Sequence, residues 1–217
     1  KAVYDTEKCV GCGKCVFICP YDAIVWKDMS TPEIITEDCM GCGACALVCP
    51  HQAIELRGYE FEPLSELIKN CSKKAVKVKA EGKSAILLFV CQWSEFSTLD
   101  EVQQGCLTED ITIIELPCAK GFDPVLVLEA LSLGFDGVMA VVCPEDQCKL
   151  EEGTELGERN FAALKKVLKH YTLEDHFEDV RVSPKYPGEF KSKLDEFKRK
   201  ISSIPKPEAK STQIRKT

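Results

Sequence analysis

No run of apolar residues in this 217-residue chain approaches the roughly 18 that a membrane span requires, the longest candidate being AILLFV at 85–90. Direct membrane insertion is therefore not expected. No secretory signal is visible, and no Ser-His-Asp or Walker pattern occurs; GTELG, at 153–157, is too loose for a phosphate loop. Basic surface is also scarce. The formal net charge is −7, and residues 191–217 hold nine Lys/Arg against three Asp/Glu, which leaves residues 1–190 with an excess of 13 negative charges. A body this acidic has little with which to displace phosphate counterions, so no nucleic-acid partner is expected. The three histidines form no cluster: His51 reads as a turn residue, His170 and His176 as surface residues near helix ends.

Cysteine, by contrast, is abundant. Fourteen are too many for packing alone, which leaves disulfides or metal ligation, and spacing decides between them. Residues 9–25, CVGCGKCVFICPYDAIV, repeat as residues 39–55, CMGCGACALVCPHQAIE, at an offset of 30. Each half reads C-x2-C-x2-C-x3-C-P, the spacing of bacterial two-cluster iron-sulfur folds. Three thiolates on one tight loop can grip three corners of a cubane, whereas the fourth reaches the other cluster. The predicted sets are Cys9, Cys12 and Cys15 with Cys49, and Cys39, Cys42 and Cys45 with Cys19. Gly11, Gly13, Gly41 and Gly43 allow the sharp turns, and Pro20 and Pro50 fix the chain direction after the crossing ligand. Tyr4, Tyr21, Ile24 and Ile54 are expected to pack around the clusters. A zinc module is the alternative, but zinc ordinarily takes two cysteine pairs, not interleaved quartets. Residues 1–58 resemble bacterial-type 2[4Fe-4S] ferredoxin domains, an α+β fold.

Residues 59–84, which end in the Lys-rich CSKKAVKVKAEGKS, read as a linker. Beyond them AILLFVC, ITIIELPC and GVMAVVC have the near-continuous apolar character of strands buried on both faces. Asp123, Pro124 and Gly134 bracket an intervening helix. A second helix over 158–171 presents Phe161, Leu164, Val167 or Leu168, and Tyr171 on one stripe, and DVRVSP reads as a fourth strand. The fold expected for 85–190 is an α/β domain with a small parallel sheet. Residues 191–217 read as a basic flexible tail.

In such a sheet the ligand crevice lies at the carboxyl ends of the strands, where Cys91, Cys118 and Cys143 fall, with Cys148 five residues beyond Cys143. Four thiols at one rim suggest a further metal or cluster site. Two alternatives remain open: a thiol-disulfide redox pair, Cys143 with Cys148, supplied with electrons by the ferredoxin domain, and plain core packing, which would leave the α/β domain a docking module. Cys71 and Cys106 carry no assigned role.

The segments CQWS, LPCAKGFDP, LEALSLGFDGVMAVVC, CPEDQC and GTELGERNFAALKKVL resemble the delta subunit of methyl-viologen-reducing hydrogenase over residues 84–190. The resemblance implies a 2Fe-2S cluster on Cys91, Cys118, Cys143 and Cys148, and a relay of single electrons between a redox partner and a flavin-containing subunit. The implied setting is a heterodisulfide-reductase-like or quinone-interacting oxidoreductase complex, with FAD on a partner protein or an upstream region. The chain would then be a non-catalytic electron-transfer portion of that complex, cytoplasmic and associated with a membrane only through its partners. Ser94 stands where that family often has a second cysteine, and Lys149 where it often has histidine. A start at Lys1 fits a processed product or a piece of a longer chain.

Overall fold

A computed structural model describes residues 1–26, 31–92, 108–150, 152–183, 185–186 and 188–205. Ser94, Cys106 and the last part of the basic tail lie outside the described residues.

The internal repeat folds as two matching halves. In each, a glycine-containing loop leads into a single helical turn, α1 (Lys14–Ile18) or α2 (Ala44–Val48), and the fourth cysteine, Cys19 or Cys49, is the residue that caps the turn's carboxyl end. Strand β1 (Ala2–Tyr4) pairs antiparallel with β4 (Ile54–Leu56), and β2 (Ile24–Val25) with β3 (Glu33–Ile34). One buried core of this unit gathers Ala2, Cys15, Ala23, Ile24, Cys39, Cys45 and Ile54, with Tyr4 and Tyr21 packed against them. Such a core offers few large apolar side chains, and a unit this small ordinarily needs a metal or a disulfide to fold.

Residues 59–84 are not the extended linker that their lysines suggested. They contain a 20-residue helix, α3 (Phe61–Ala80). Leu64, Ile68, Ala75 and Val78 are buried along one side, with Cys71 partly buried beside them, a spacing of four, three, four and three residues. The lysines occupy the rest of the surface, so the passage is amphipathic rather than merely polar.

The α/β domain is built on four parallel strands, β5 (Ile86–Cys91), β6 (Ile111–Leu116), β7 (Gly137–Val142) and β8 (Phe177–Arg181), in the order β6-β5-β7-β8. Helix α4 (Pro124–Ser132) follows β6, and α5 (Gly153–His170) follows β7. Asp123 caps α4 as expected, its carboxylate accepting the Val125 N–H at 2.8 Å, and Gly134 takes φ 100° after the helix. Helix α5 begins five residues earlier than its apolar stripe suggested. It buries Phe161, Leu164 and Leu168 but leaves Val167 and Tyr171 exposed.

Alternate residues of the central strand serve two cores. Leu87 and Phe89 face α3, α4 and α5. Ile86, Leu88 and Val90 face the last helix, α6 (Glu189–Ser203), through Phe190, Leu194, Phe197 and Ile201. This corrects the expectation of a flexible tail from residue 191: a sheet apolar on both faces needs a cover on both. Burying each of those four side chains contributes roughly 1.5–3 kcal/mol, which outweighs the solvation of the lysines between them. Among the described residues no helix is long and apolar enough to cross a membrane.

Candidate metal centres

Three groups of sulfurs emerge. Cys9, Cys12, Cys15 and Cys49 line one cavity together with Tyr4, His51 and Ile54. Cys19, Cys39, Cys42 and Cys45 line a second with Ala2, Tyr21 and Ile24. The exchange of fourth cysteines follows from the repeat: each helical turn ends pointing its capping cysteine toward the other half. Cys91, Cys118, Cys143 and Cys148 form the third group, at the carboxyl ends of β5, β6 and β7. The order β6-β5-β7 reverses direction at β5, which is where an open α/β sheet leaves its crevice.

The first two groups suit 4Fe-4S clusters in the chemistry of their surroundings. Backbone N–H groups of Gly11 and Ala53 donate to the sulfurs of Cys9 and Cys49, each at 3.3 Å. Such donors stabilise thiolate character on a cluster ligand. Tyr4 Oη is buried and finds no hydrogen-bond partner among the described residues. Burial, followed by the proximity of Cys9, pushes its pKa up, so the hydroxyl stays neutral and able to donate into the first cavity. Burial likewise raises the thiols of Cys15 and Cys42, and that of Cys45 to about 12. Iron must displace those protons, so assembly releases them.

In the third group, Cys91 Sγ and Cys143 Sγ lie 3.7 Å apart. Cys118 is in hydrogen-bond contact with both Cys148 and Cys91. These contacts link Cys148 through Cys118 and Cys91 to Cys143. The hydrogen bond from Cys118 lowers Cys148 to about 5 against the opposing effect of burial, helped by the N–H groups of Leu150, Thr154 and Gly153. Hydrogen bonding with Cys148 and Cys91 raises Cys118, and the neighbouring Cys91 with burial raises Cys143.

Glycine explains how α5 comes so near. A Cβ placed on Gly153 would stand 2.6 Å from Cys148 Sγ and 2.8 Å from Cys118 Sγ, and one on Gly157 would stand 2.6 Å from the Ala119 Cβ. The GTELG stretch is thus a close-approach surface that brings a helix N-terminus onto the sulfurs, a role that its spacing alone did not reveal. Four thiols, three of them buried, with backbone donors aimed at the fourth, form a donor set that fits a small iron-sulfur cluster. Among the described residues no three Cys, His, Asp or Glu groups converge on one point as ligands of a single ion do. A cluster asks for less convergence, since its thiolates bind different irons.

The second and third groups adjoin. Cys42, Ala44, Cys118 and Leu150 are buried in one cluster, with Ile18 and Tyr21 packed against it. Tyr21 Oη donates to the Leu150 carbonyl, as does Lys120 Nζ at 2.8 Å. The sequence places Tyr21 at the cluster edge but gives Lys120 no role. Lysine two residues from a cysteine carries no signal until the fold buries it.

Comparison with known proteins agrees with this geometry. Residues 2–56 match the family described as 4Fe-4S dicluster domain, which implies two 4Fe-4S clusters, and residues 86–204 match methyl-viologen-reducing hydrogenase, delta subunit. Over 203 residues the chain is 30% identical to the A subunit of the ferredoxin:CoB-CoM heterodisulfide reductase of Methanosarcina mazei. It is 31% identical over the same length to the A subunit of the ferredoxin/F(420)H(2)-dependent CoB-CoM heterodisulfide reductase of Methanosarcina acetivorans. Those matches cover 92% of this chain but span only 25% of either relative. Similarity to the iron-sulfur D subunit of the F420-non-reducing hydrogenase of Archaeoglobus profundus is 28% over 98 residues, 43% of this chain and 70% of that one. With more than half of its residues inside the matched region, the chain belongs to the methyl-viologen-reducing hydrogenase delta-subunit family, and it carries a 4Fe-4S dicluster domain ahead of that family's α/β fold.

Proposed function

We propose that this chain relays single electrons through three iron-sulfur sites inside a larger oxidoreductase complex. Cys9, Cys12, Cys15 and Cys49 would hold one 4Fe-4S cluster, and Cys19, Cys39, Cys42 and Cys45 the other. Cys91, Cys118, Cys143 and Cys148 would hold a 2Fe-2S cluster, with the contacting pairs Cys148/Cys118 and Cys91/Cys143 each serving one iron. When bound, the clusters supply one-electron chemistry whose potential depends on burial, charge and hydrogen bonds to sulfur.

The observation that carries this reading is the one buried cluster shared by Cys42 and Cys118, which brings the second group beside the third. The first and second groups share a core in turn. Both ends of this series are open: Cys12 and Val10 are exposed at the first site. At the far end a cleft lined by Cys143, Gln147, Lys149 and Val182 opens beside the third. Openings at both ends suit a conduit between two partners. One partner would be a flavoprotein, with FAD held there or on a further part of a longer chain. The likeness to the A subunits of heterodisulfide reductases and to the D subunit of a hydrogenase supports that setting.

Anaerobic iron and sulfide analysis with EPR tests it. About ten irons per chain are expected in wild type and about eight in Cys118→Ser, with the two cubane signals retained. An unchanged iron count and spectrum in Cys118→Ser would overturn the third site.

The depressed thiol of Cys148 favours one rival, a thiol-disulfide exchange activity fed by the dicluster domain. Rapid alkylation of Cys148 in the reduced protein with no loss of iron would support that rival and count against a cluster there.

A further inference from the structure

Lys120 is 1% exposed, among the most thoroughly buried large side chains of the molecule, and it belongs to the turn that carries Cys118. Its ammonium donates to the Leu150 carbonyl at 2.8 Å and lies 5.1 Å from the centroid of the Tyr21 ring. Among the described residues no carboxylate pairs with it. An ammonium taken out of water is costly unless negative charge compensates it, and one carbonyl with one aromatic face is slender compensation. Sulfurs lie close to this position. Lys120 faces the Tyr21 ring, which packs against the buried cluster that holds Cys42 and Cys118. Its Cε comes within 3.9 Å of the position a Gly153 Cβ would take, a position that also touches the sulfurs of Cys148 and Cys118.

Resting on the three-site reading above, we propose that Lys120 is a buried fixed charge shared by the second cubane and the third cluster, holding both at a higher potential than their sulfur ligation alone would set. Each site becomes more negative by one charge when it accepts an electron, and a permanent cation between them stabilises that reduced form at both. One electron leaves one site as the other gains it. No further reactant is needed. Because the charge is common to both sites, it changes the difference between them little while setting both apart from the first cubane. Lys120 is in this sense a positioning residue for the electron and touches no substrate.

A purely structural role, holding the Leu150 carbonyl and the Tyr21 ring in place, would leave potentials unchanged, so the potential is the readout. EPR-monitored redox titration of the intact iron-loaded chain is compared for wild type, Lys120→Met, Lys120→Arg and Lys149→Met. Lys120→Met is expected to lower the reduced-to-oxidised ratio at fixed potential at least tenfold for the second cubane and the third cluster, which for one electron is about 59 mV. The first cubane should move by less than half as much. Lys120→Arg keeps the charge and should remain near wild type. Lys149→Met removes an exposed lysine from the same rim, where solvent screens it, and should have little effect. Equal shifts at all three sites, or none in Lys120→Met, would overturn the proposal. Should Lys120→Met lose iron, Lys120→Gln takes its place, and loss of iron in every neutral variant with wild-type potentials in Lys120→Arg would assign the lysine to assembly, against the proposal. If wild type holds only about eight irons, the three-site reading fails, yet the second cubane's shift still decides the role of Lys120.

Discussion

Gly43 and Gly121 meet backbone against backbone: a Cβ added to Gly43 would lie 2.9 Å from Gly121 Cα, and one added to Gly121 would lie 3.0 Å from both Gly43 Cα and Cys42 O. Gly43 also holds φ 85° at the start of α2, so its freedom from a side chain serves the turn and the contact together. Gly121 does not hold a positive φ, which makes it the cleaner place to probe the junction. Gly121→Ala is expected to destabilise the fold by about 1–3 kcal/mol through overpacking. It should also push the second sulfur group away from the third, slowing electron exchange between them with little change in iron content. Urea unfolding and rapid-freeze EPR after partial reduction measure the two effects; exchange at the wild-type rate would show that this contact does not set the spacing.

Gly153→Ala attacks the third site without touching a ligand. The new methyl would sit 2.6 Å and 2.8 Å from two sulfurs that the backbone fixes, and helix α5 cannot retreat without breaking its packing through Phe161 and Leu164. Loss of about two irons is expected, with the roughly eight of the cubanes retained. Gly157→Ala meets the Ala119 methyl and backbone, not a sulfur. It should cost stability in the same range while keeping more of the third site's iron, and equal iron loss in both variants would point to a general disturbance of α5.

The two sulfur quartets were legible because their spacing is set by local geometry. C-x2-C-x2-C-x3-C leaves a loop few other options, and the repeat at 30 residues supplies the second half. The parallel sheet was legible for a similar reason, since strands buried on both faces announce themselves as unbroken apolar runs ended by cysteine. What stayed hidden was amphipathicity under lysine. In α3 and α6 the apolar residues are spaced for one helical face, Leu64, Ile68, Ala75 and Val78 in one, Phe190, Leu194, Phe197 and Ile201 in the other. Average composition reads as a linker or a tail. The junction that gathers Cys42 and Cys118 into one buried cluster could not be read at all, because it joins residues 76 positions apart in sequence beside two glycines whose need appears only when the backbones meet.

The last helix therefore offers a direct test of that correction. Phe197 is fully buried against Ile86, Met139 and Val180 on the face of the sheet away from α3. Phe197→Ala is expected to cost about 3–5 kcal/mol, read by urea unfolding of the iron-loaded chain, whereas Lys198→Ala on the outer side should cost about 1 kcal/mol or less despite its 2.8 Å pair with Asp110. Near-equal small losses would mean that α6 does not cover the sheet in solution.

The acidity of Cys148 gives a prediction about metal removal. With its sulfur on iron, Cys148 should resist alkylation in the loaded protein. Once iron is chelated from the third site, the Cys118 hydrogen bond and the N–H groups of Leu150, Thr154 and Gly153 hold it at about 5. The sign is fixed by that depression: a lowered pKa means thiolate is already the dominant form above about 5, and protonation removes it only as pH falls through that value. An ordinary cysteine near 8.5 gains about tenfold in thiolate for each unit between about pH 6 and 8. Labelling of Cys148 should instead be nearly flat from about pH 6 to 8 and fall below about 5, and Cys118→Ala, which removes the main donor, should restore a rising profile. Peptide-resolved iodoacetamide kinetics across about pH 4–8 measure both. A tenfold rise per unit in the otherwise unaltered iron-depleted chain would show that the four sulfurs separate when the iron leaves, and that the cluster itself, not the protein scaffold, holds Cys148 beside Cys118.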